Sequence, residues 1–320
     1  MKRLREIPRH RLAHVIAIII GIIAVAVFVK SVRSESLRDA LARMNGYWLL
    51  PIVFCNFGVI ILKALRWKIM FKPVKSMPLW QMFKILTIGF MANNILPARL
   101  GEAVRVHMLG KGASVSIITT TASLIADKII EAVGLLFFIA LLVLTVKVPS
   151  WMHYGLIITL LVTIVAYTAA VIYSTREMQD GRFKRFQEGV RPLMHAKVLV
   201  QGILVSIVSW AAQLLMIYMT QKAFNVNTPL WGILVVLISV NLAIIVPSAP
   251  AHLGAFELAC VLAYSYLKIG SSLGLLIGAT YHILQIIPVT LVGGMFAAMD
   301  GIRSFRGIAG ATPAPDTKSL

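Results

Sequence analysis

The sequence predicts an all-α polytopic membrane protein with about seven to eight transmembrane helices and two re-entrant broken-helix segments in an inverted repeat. Of its 320 residues, 59% are hydrophobic and only 13% are charged, against roughly 25% charged in a soluble domain. The mean hydropathy is +0.86. Apolar runs long enough to cross a bilayer recur along the chain, and no polar stretch is long enough for a separate soluble catalytic domain.

Two of the apolar runs are interrupted by the same short phrase. The first reads NNILPARLGE (93–102) and the second VPSAPAHLGAFE (246–257). Each contains a proline, a small residue, a basic or imidazole residue, Leu-Gly and then a glutamate. Proline removes a backbone donor and glycine frees the backbone, so a helix is difficult to continue here. Matched breaks in two halves of a membrane protein point to the binding site of a transporter.

Residues 1–45 predict an N-terminal span followed by an interfacial helix. A basic segment (2–11) precedes an apolar run (12–29) that is longer than a typical signal-peptide core and lacks an obvious small-residue cleavage site. We therefore predict an uncleaved span with its N-terminus in the cytoplasm. Residues 31–45 carry leucines and a methionine at helical spacing, which predicts a short amphipathic helix on the outer surface.

Residues 46–175 predict the first unit of the inverted repeat. Lysines and arginines follow its first apolar run and mark the cytoplasmic side. We predict that the next, interrupted run enters the membrane as a re-entrant hairpin from that side. The predicted elements are span two (47–67), the first re-entrant segment (80–96), span three (116–146) and span four (154–173).

Residues 176–197 predict a basic cytoplasmic loop, and residues 198–300 predict the second unit in the opposite orientation. The second re-entrant segment is then entered from the outside. Residues 301–320, which contain Pro313 and Pro315, predict a disordered tail. The elements of the second unit are span five (198–220), the second re-entrant segment (231–250), span six (256–267) and span seven (273–299).

One feature of the charge distribution conflicts with this order of elements. The predicted spans place the C-terminus outside, yet Arg303 and Arg306 follow span seven. Basic residues next to a span normally face the cytoplasm. If one re-entrant segment crosses instead, the chain has about eight spans and a cytoplasmic C-terminus. The sequence leaves both arrangements open.

Acidic residues inside apolar runs are the main pointer to a functional site. The chain has twelve acids, and Glu102, Asp127, Glu131 and Glu257 lie in or beside apolar runs. An ionisable residue at membrane depth costs at least about 2.5 kcal/mol, so it normally faces a cavity or a partner. Asp127 and Glu131 share one face of span three and repel each other unless a cation lies between them or one of them is protonated.

The cations near these acids admit both a functional and a structural interpretation. We expect Arg99, Arg105 or Lys128 to pair with Asp127 or Glu131, because an unpaired buried charge is costly. The alternative is an ion-pair cluster that only holds helices together. The sequence does not distinguish a substrate site from such a cluster.

Other polar residues near the breaks are interpreted in the same way. Lys63 and Arg66 are interpreted as snorkelling side chains at the end of span two, with a role as further partners of the acids as the alternative. Lys84 is a further candidate partner whose role is left open. His282 and Gln285 predict either part of the site or a hydrogen bond between helices. The predicted substrate site consists of Asn94, Pro97, Arg99, Gly101, Glu102, Arg105, Asp127, Lys128, Glu131, Pro250, His252, Gly254, Glu257 and His282.

The remaining features argue against other classes of protein. The net charge is +19, but the basic residues flank apolar runs and face anionic lipid, so no nucleic-acid partner is predicted. The seven histidines show no metal-ligand spacing and no Walker-type loop occurs, so we predict no metal, no cofactor, no catalytic residue and no ATPase motor. Cys55 and Cys260 lie inside apolar runs and predict free buried thiols.

Four segments together resemble the membrane domain of bacterial lysyl-phosphatidylglycerol synthase/flippases, over roughly residues 10–300. Such domains also occur alone, some associated with hopanoid synthesis and others with glycosyltransferases of envelope lipids. The resemblance implies a carrier in the bacterial inner membrane that translocates a polar or anionic lipid, a hopanoid or a lipid-linked glycan intermediate. The four segments are LKALRWKIM (62–70), NNILPARLGEAVRVHMLGK (93–111), ASLIADKIIEAVGLLFF (122–138) and PSAPAHLGAFELACVL (247–262).

The chain departs from the family pattern at two places. A Gly-Gly pair often precedes Leu-Gly in the family, where the two phrases of this chain have Ala-Arg and Ala-His. Span three of the family tends to Glu-Arg followed by Asp, where this chain has Asp127-Lys128 followed by Glu131. These exchanges keep the charges but leave the headgroup preference open. No counterpart of the family's soluble aminoacyl-transferring domain occurs in this sequence, so aminoacyl-lipid synthesis is not expected.

Two other classes of membrane protein remain open alternatives. An ion-coupled transporter of small solutes is also expected to have an inverted repeat. A membrane-embedded lipid glycosyltransferase needs acids in its outward loops, whereas 147–153 and 221–229 carry none. The expected partner is a membrane lipid, and lipid-synthesis enzymes and a second copy of the chain are left open as further partners.

Overall fold

The protein is an all-α membrane protein, as predicted. Within the described residues the chain forms helices and no strand. The predicted first span (12–29), Pro97 of the predicted site and residues 310–320 of the predicted tail lie outside the described residues. The structure, a computed structural model, describes residues 35–96, 99–146, 150–175, 181–244 and 250–309.

In the first repeat, two long helices enclose two short ones. A short helix precedes them, α1 (Glu35–Ala42), at the position of the predicted amphipathic helix. A further long helix, α6 (Ser150–Thr175), follows them. The repeat itself consists of α2 (Leu49–Phe71), α3 (Leu79–Ile95), α4 (Leu100–Ala113) and α5 (Ile117–Thr145).

The second repeat has the same order of helices. Helix α7 (Gly181–Val190) and a 3₁₀ turn (Arg191–Met194) lead into it. A long helix, two short helices and a long helix therefore occur twice along the chain. The second repeat consists of α8 (Ala196–Ala223), α9 (Leu230–Ala243), α10 (Ala255–Tyr266) and α11 (Ser271–Ala309).

Five helices in the described residues are long and apolar enough to cross a bilayer. The mean hydropathy of their apolar windows lies between 1.8 and 2.4. They confirm predicted spans two, three, four, five and seven as long apolar helices, so the protein is polytopic. The five are Gly46–Phe71, Ile117–Thr145, His153–Thr175, Ala196–Ala223 and Ser271–Asp300.

Each pair of short helices forms a helical hairpin. Helix α3 packs against α4, and α9 packs against α10. The four helices contain 17, 14, 14 and 12 residues, respectively. At about 1.5 Å per residue they are roughly 18–26 Å long, which is less than the roughly 30 Å of a hydrocarbon core. None of these four helices is therefore long enough to cross the membrane alone.

The turns of both hairpins lie at the broken phrases. In the first phrase, Arg99 has a φ of 55° and immediately precedes α4. In the second phrase, Ala251 and His252 have φ values of 56° and 59°, and Gly254 has a φ of 89°. A left-handed backbone at a non-glycine residue costs roughly 1–2 kcal/mol, so the packing around each turn must hold it in place.

The first helices of the two repeats, α2 and α8, pack against each other and are antiparallel. The main-chain N–H of Asn45, just before α2, donates to the carbonyl of Ala223 at the end of α8 at 2.8 Å. Near the other end of α2, Arg66 contacts Ser206 at 3.4 Å. This reversal of direction between equivalent helices is the relation expected of an inverted repeat.

Helix α3 of the first hairpin packs antiparallel against α11 of the second repeat. Lys84 pairs with Asp300 at one end, and the Asn94 amide donates to the hydroxyl of Thr290 at 2.9 Å at the other. Between them, Gly293 permits close approach, because a Cβ there would lie 2.8 Å from the carbonyl oxygen of Thr87. The first hairpin is therefore anchored on the other repeat, and Lys84 has a structural contact.

The predicted spans and re-entrant segments of the hairpins do not coincide with the helices of the structure. Predicted span six (256–267) is helix α10, the second arm of a hairpin, and its 12 residues are too few to cross a bilayer alone. The first predicted re-entrant segment (80–96) corresponds to the single continuous helix α3. Its hairpin is completed by α4, which was not predicted because the glycines and charges of residues 100–113 obscure their helical pattern.

The predictions for the basic loop and the tail also differ from the structure. Residues 181–194 of the predicted loop form α7 and a 3₁₀ turn that pack against the bundle. Gly189 lies so close to α5 that a Cβ there would be 2.4 Å from the Cβ of Ala122. Helix α11 continues to Ala309, whereas the tail was predicted to begin at residue 301.

If predicted span six does not cross the membrane, the charge distribution no longer conflicts with the order of the elements. If each hairpin returns to the side it enters from, three places lie on one side: the end of α2, the connection from α6 to α8, and the end of α11. All three are basic, with Lys72 and Lys75, Arg182 and Lys184, and Arg303 respectively. Basic residues beside spans collect on the cytoplasmic side, so one arrangement accounts for all three.

Re-entry predicts that both ends of the first hairpin are accessible from the same side of the membrane. In a variant lacking Cys55 and Cys260, single cysteines at Ser76 and Ser114 should react with a membrane-impermeant thiol reagent only from the basic side. Both residues are exposed and flank the hairpin. Labelling of intact cells and of inverted vesicles measures the side.

The matched pair for the second hairpin is Asn227 and Ser271, which are also exposed. Cysteines at these two positions should react only from the opposite side. If cysteines at Ser76 and Ser114 react from different sides, the first hairpin crosses the membrane and the re-entrant interpretation is wrong.

Candidate functional site

Charged residues of α2 and α5 meet in the interior of the helix bundle. Arg66 on α2 is only 1% exposed. Its Nε and Nη2 atoms donate to the two carboxylate oxygens of Asp127 on α5 at 2.8 and 3.1 Å. Its Nη1 atom donates to the hydroxyl of Ser206 on α8 at 3.4 Å. The bidentate pair therefore joins three of the long helices.

Glu131, one turn after Asp127, contacts three cations. Its carboxylate lies 2.7 Å from Lys63 Nζ, 3.1 Å from Lys128 Nζ and 3.5 Å from Arg66 Nη2. The two cations of α2 are three residues apart and the two acids of α5 are four apart. Each pair therefore lies on one face of its helix, and the two faces are complementary in charge.

Helix α4 adds Glu102 and Arg105 to these residues. Lys128 Nζ and Arg105 Nη2 each lie 3.7 Å from the carboxylate of Glu102. Arg105 is 3% exposed, and its Nε has no hydrogen-bond partner among the described residues. Its guanidinium lies 4.8 Å from the centroid of the Phe90 ring, which is a cation–π contact. Arg105 is thus a buried cation that its neighbours compensate only weakly.

Two glycines allow Arg105 to reach this position. A Cβ at Gly89 would lie 2.1 Å from Cγ of Arg105, and a Cβ at Gly101 would lie 2.0 Å from the carbonyl oxygen of Gly89. The assembly, which we name the charge cluster, contains four cations and three acids and so has one positive charge in excess. The charge cluster consists of Lys63, Arg66, Glu102, Arg105, Asp127, Lys128 and Glu131.

At the equivalent place in the second repeat, Glu257 binds His282. Glu257 lies in the first turn of α10, as Glu102 does in α4. Its Oε1 atom lies 2.6 Å from Nδ1 of His282, and its Oε2 atom accepts the main-chain N–H of Gly254 at 2.7 Å. The His282 ring is buried and stacks on the ring of Phe256, with centroids 3.9 Å apart and an interplanar angle of 6°.

The two hairpin turns contact each other. The guanidinium of Arg99, at the first turn, donates to the main-chain carbonyl of Ile244, at the end of α9. Helix α3 also packs against the 3₁₀ turn Pro250–His252 of the second hairpin. Arg99 therefore belongs to the junction of the hairpins and does not pair with Asp127 or Glu131.

A cavity of about 160 Å³ lies between the hairpins, and we name it the central cavity. Both repeats contribute to its wall. The first contributes Lys63 and Asn94, and the second contributes His252, His282 and Gln285. Polar groups from opposed broken helices thus converge on one space inside the bundle.

A larger apolar groove of about 700 Å³ opens on the outside of the bundle between α4, α5 and α6. We name it the lateral groove. Its walls are mainly aliphatic, with Glu102 and Lys128 among the few polar residues. A second groove of about 650 Å³ between α5, α6 and α7 shares Ile125 and Ala166 with it. Together they form a continuous apolar surface along α5 and α6.

The charge cluster lies between these two spaces. Lys63 lines the central cavity, whereas Glu102 and Lys128 line the lateral groove. Glu131 contacts both Lys63 and Lys128, so it links the two walls. The arrangement can hold a polar or anionic group inside the bundle while an apolar group attached to it remains outside.

The predicted site residues separate into two groups. The expected pairing of Lys128 with Glu131 is found, whereas the partner of Asp127 is Arg66, one of the further candidates, rather than Arg99, Arg105 or Lys128. The first group belongs to the charge cluster and comprises Glu102, Arg105, Asp127, Lys128 and Glu131. The second lies at the central cavity or the hairpin turns and comprises Asn94, Arg99, Gly101, Pro250, His252, Gly254, Glu257 and His282.

Lys63 and Arg66 are the site residues that the sequence analysis undervalued. Their sequence favours snorkelling side chains over partners of the acids, but both pair with acids inside the bundle. The two cations are three residues apart on one helix, and the two acids are four residues apart on another. These spacings place each pair on one helical face, which is the sequence signal for their role. Phe90 and Trp210, whose ring centroids lie 6.0 and 5.6 Å from Lys63 Nζ, carry no comparable signal in the sequence.

These features define a class of polytopic membrane protein in which two opposed helical hairpins enclose a polar cavity beside a buried charge cluster. The sequence profile of the lysylphosphatidylglycerol synthase TM region matches residues 14–293. The chain therefore belongs to that family, and a role connected with membrane lipid follows at the level of the family.

The chain is also similar to archaeal proteins named UPF0104 membrane protein. One from Methanothermobacter thermautotrophicus is 27% identical over 292 residues, which cover 80% of this chain and 86% of that protein. Another from the same organism is 23% identical over 319 residues, with 86% and 91% coverage. One from Methanocaldococcus jannaschii is 23% identical over 215 residues, with 63% and 91% coverage. No solved structure matches the chain significantly.

Breaking the buried pair of Arg66 and Asp127 should destabilise the fold. Arg66→Met leaves a buried carboxylate without its main partner, which costs about 3–5 kcal/mol. The midpoint of thermal unfolding in detergent, followed by circular dichroism, should fall markedly. The double variant Arg66→Met/Asp127→Leu should be more stable than Arg66→Met, because it no longer leaves the Asp127 carboxylate unpaired.

Lys84→Met is the matched control for this experiment. It also removes one partner of an ion pair between helices, but the side chains of Lys84 and Asp300 are 20% and 34% exposed. Its cost should be about 1 kcal/mol or less. Equal losses of stability for Arg66→Met and Lys84→Met would contradict a special role of the buried pair.

Proposed function

We propose that the protein is a lipid translocase that carries a lipid with a polar or anionic headgroup across the membrane. The observation that carries this proposal is the position of the charge cluster between the central cavity and the lateral groove. A lipid in transit requires polar partners for its headgroup and an apolar surface for its chains. Phospholipids, hopanoids with polar headgroups and lipid-linked glycan intermediates all belong to this substrate class.

The lateral groove supports the binding of acyl or polyprenyl chains. It is open to the side of the bundle, its walls are largely aliphatic, and it continues into the second groove through Ile125 and Ala166. Apolar chains in such a groove remain in contact with the bilayer, so the protein need not remove them fully from lipid. Glu102 and Lys128 at its wall place charged groups beside the headgroup.

The charge of the cluster supports an anionic headgroup. The cluster has one positive charge in excess. Arg105 is buried, lies 3.7 Å from its acidic neighbour and has an Nε without a hydrogen-bond partner in the described part of the chain. A phosphate oxygen is a strong acceptor for such a guanidinium. Arg105 and Lys128 are therefore the proposed headgroup ligands.

The opposed hairpins support movement by alternating access. Broken helices from two inverted repeats form the sites of many carriers, which open to one side and then to the other. Here the turns meet at Arg99 and Ile244, beside the central cavity. We propose that the two hairpins separate from this closed contact on opposite sides in turn.

We place the protein in the bacterial inner membrane with a cytoplasmic N-terminus. The basic ends of α2 and α11 and the basic segment with α7 support a common cytoplasmic side. The partner in this proposal is the lipid itself. Association with a lipid-synthesis enzyme or with a second copy of the chain is a further proposal without a structural argument of its own.

One observation favours a second candidate, an ion-coupled transporter of a small solute. The central cavity of about 160 Å³ is large enough for a few water molecules or a very small solute, and not for a bulky headgroup. For a lipid translocase, the cavity must therefore enlarge when the hairpins move. Lipid movement in proteoliposomes separates the two candidates.

Translocation of labelled lipid tests the proposed headgroup ligands. Purified protein in phosphatidylcholine vesicles should move tail-labelled phosphatidylglycerol between leaflets, measured by dithionite quenching of the outer leaflet. Arg105→Gln should slow the anionic lipid about tenfold relative to labelled phosphatidylcholine, because a charge-assisted hydrogen bond contributes about 1.5–3 kcal/mol. Lys111→Gln, in the same helix but exposed, should leave both rates unchanged.

Identical effects of Arg105→Gln on both lipids would refute the role of Arg105 as a ligand of an anionic headgroup. If the wild-type protein moves neither lipid, the proposed translocase function is refuted.

Filling the lateral groove should block lipid movement without removing any charge. Ala166→Trp places a large side chain in the groove, and Leu161→Trp places the same side chain on an exposed position of the same helix. The first variant should lose most of its translocation rate, while the second should keep it. Similar rates for the two variants would show that chains do not pass through this groove.

A further inference from the structure

Glu257 and the buried His282 form an acid–imidazole pair that has no direct role in the proposed binding of lipid. The pair lies in the second repeat, at the start of α10, and His282 lines the central cavity. The distance between Oε1 and Nδ1 is 2.6 Å, and the stacked Phe256 ring holds the plane of the imidazole. A histidine at membrane depth is rare and normally marks an ion or proton pathway.

The equivalent acid of the first repeat has different partners. Glu102 lies 3.7 Å from both Lys128 and Arg105, an ammonium and a guanidinium. The partner that Glu257 has in the described residues is an imidazole, the type of side chain that proteins most often use to take up and release a proton. The scaffold is repeated, but among the described residues the acid of the first copy faces two basic side chains and the acid of the second copy faces a histidine.

The pair is also joined to the broken backbone of its hairpin. One oxygen of Glu257 binds His282, and the other accepts the N–H of Gly254 at 2.7 Å. Gly254 has a φ of 89° and lies between the 3₁₀ turn and α10. A change in the charge of His282 therefore changes its interaction with the Glu257 carboxylate, which also accepts the hydrogen bond from Gly254 at this turn.

Other titratable and charged groups around the pair come from each neighbouring element. Lys63 is paired with Glu131, and Arg99 contacts Ile244, so neither is a direct partner of His282. The neighbouring groups are Lys63 and Cys55 of α2, Arg99 of the first turn, His252 of the second turn, Cys260 of α10 and Tyr281 of α11.

We propose that Glu257 and His282 form a proton-binding site that couples lipid movement to a proton gradient. The proton enters from the side to which the central cavity opens and adds to Nε2 of His282, the ring nitrogen that does not face Glu257. The product is an imidazolium–carboxylate pair, and release of the proton to the other side restores the neutral imidazole. This inference rests on the proposed lipid translocation and adds its energy source.

The test measures the distribution of labelled phosphatidylglycerol in phosphatidylcholine vesicles with and without an imposed pH gradient. With one proton per lipid, a gradient of one pH unit supports an unequal distribution between leaflets of about tenfold. Pyranine inside the vesicles should report proton movement when the lipid moves. Both signals should be present in the wild type.

Two variants and a matched control assign the coupling to the pair. His282→Gln and Glu257→Gln should lose both the unequal distribution and the proton signal, whatever translocation rate remains. His195→Gln changes an exposed histidine before α8 and should keep both signals.

The outcomes separate the two proposals. Wild-type lipid movement that ignores the gradient overturns the proton coupling and leaves the translocase standing. Absence of lipid movement overturns both. Persistence of gradient-driven accumulation in folded His282→Gln would place the coupling proton elsewhere.

Discussion

The bidentate pair between Arg66 and Asp127 is the interaction on which the arrangement of the helices depends. Neither side chain can remain charged and unpaired in the bundle without a cost of several kcal/mol, so α2 and α5 must pack with the two groups in register. The contact from Arg66 to Ser206 adds α8, which is the antiparallel counterpart of α2. The ion pair and its contact to Ser206 thus connect long helices of both repeats, and the hairpins pack against these long helices.

A second constraint comes from the broken backbone of the hairpins. Backbone groups that leave a helix inside a membrane must be surrounded by protein or by a polar cavity, because lipid offers no hydrogen bonds. The described residues at the turns contact the other repeat, since Arg99 reaches the carbonyl of Ile244 and α3 packs against the 3₁₀ turn Pro250–His252. Within the first hairpin, Gly101 allows α4 to begin directly against the backbone of Gly89. The same packing that protects the turns creates the central cavity between them.

The two repeats share their scaffold and differ in their chemistry. Each begins the second arm of its hairpin with a glutamate, and each glutamate faces a residue of the long helix that follows. In the first repeat that residue is Lys128, which joins a network with excess positive charge. In the second repeat that residue is His282, which pairs with Glu257. This asymmetry supports a division of work in which one repeat binds the headgroup and the other responds to protons.

The sequence by itself determined the all-α membrane class, the long apolar helices and the location of both breaks, since hydropathy, proline and glycine act locally. It also singled out Asp127, Glu131 and Glu257, because a charge in an apolar run is visible without a structure. Only the tertiary structure showed that the short helices form hairpins and that Arg66 is the partner of Asp127. It also showed that predicted span six is a short helix in one of these hairpins. Arg66 and Asp127 are 61 residues apart, and periodicity within one helix carries no information about its register against another. For the same reason, the placement of Lys63 and Lys128 on the walls of two different spaces emerges only when the helices pack.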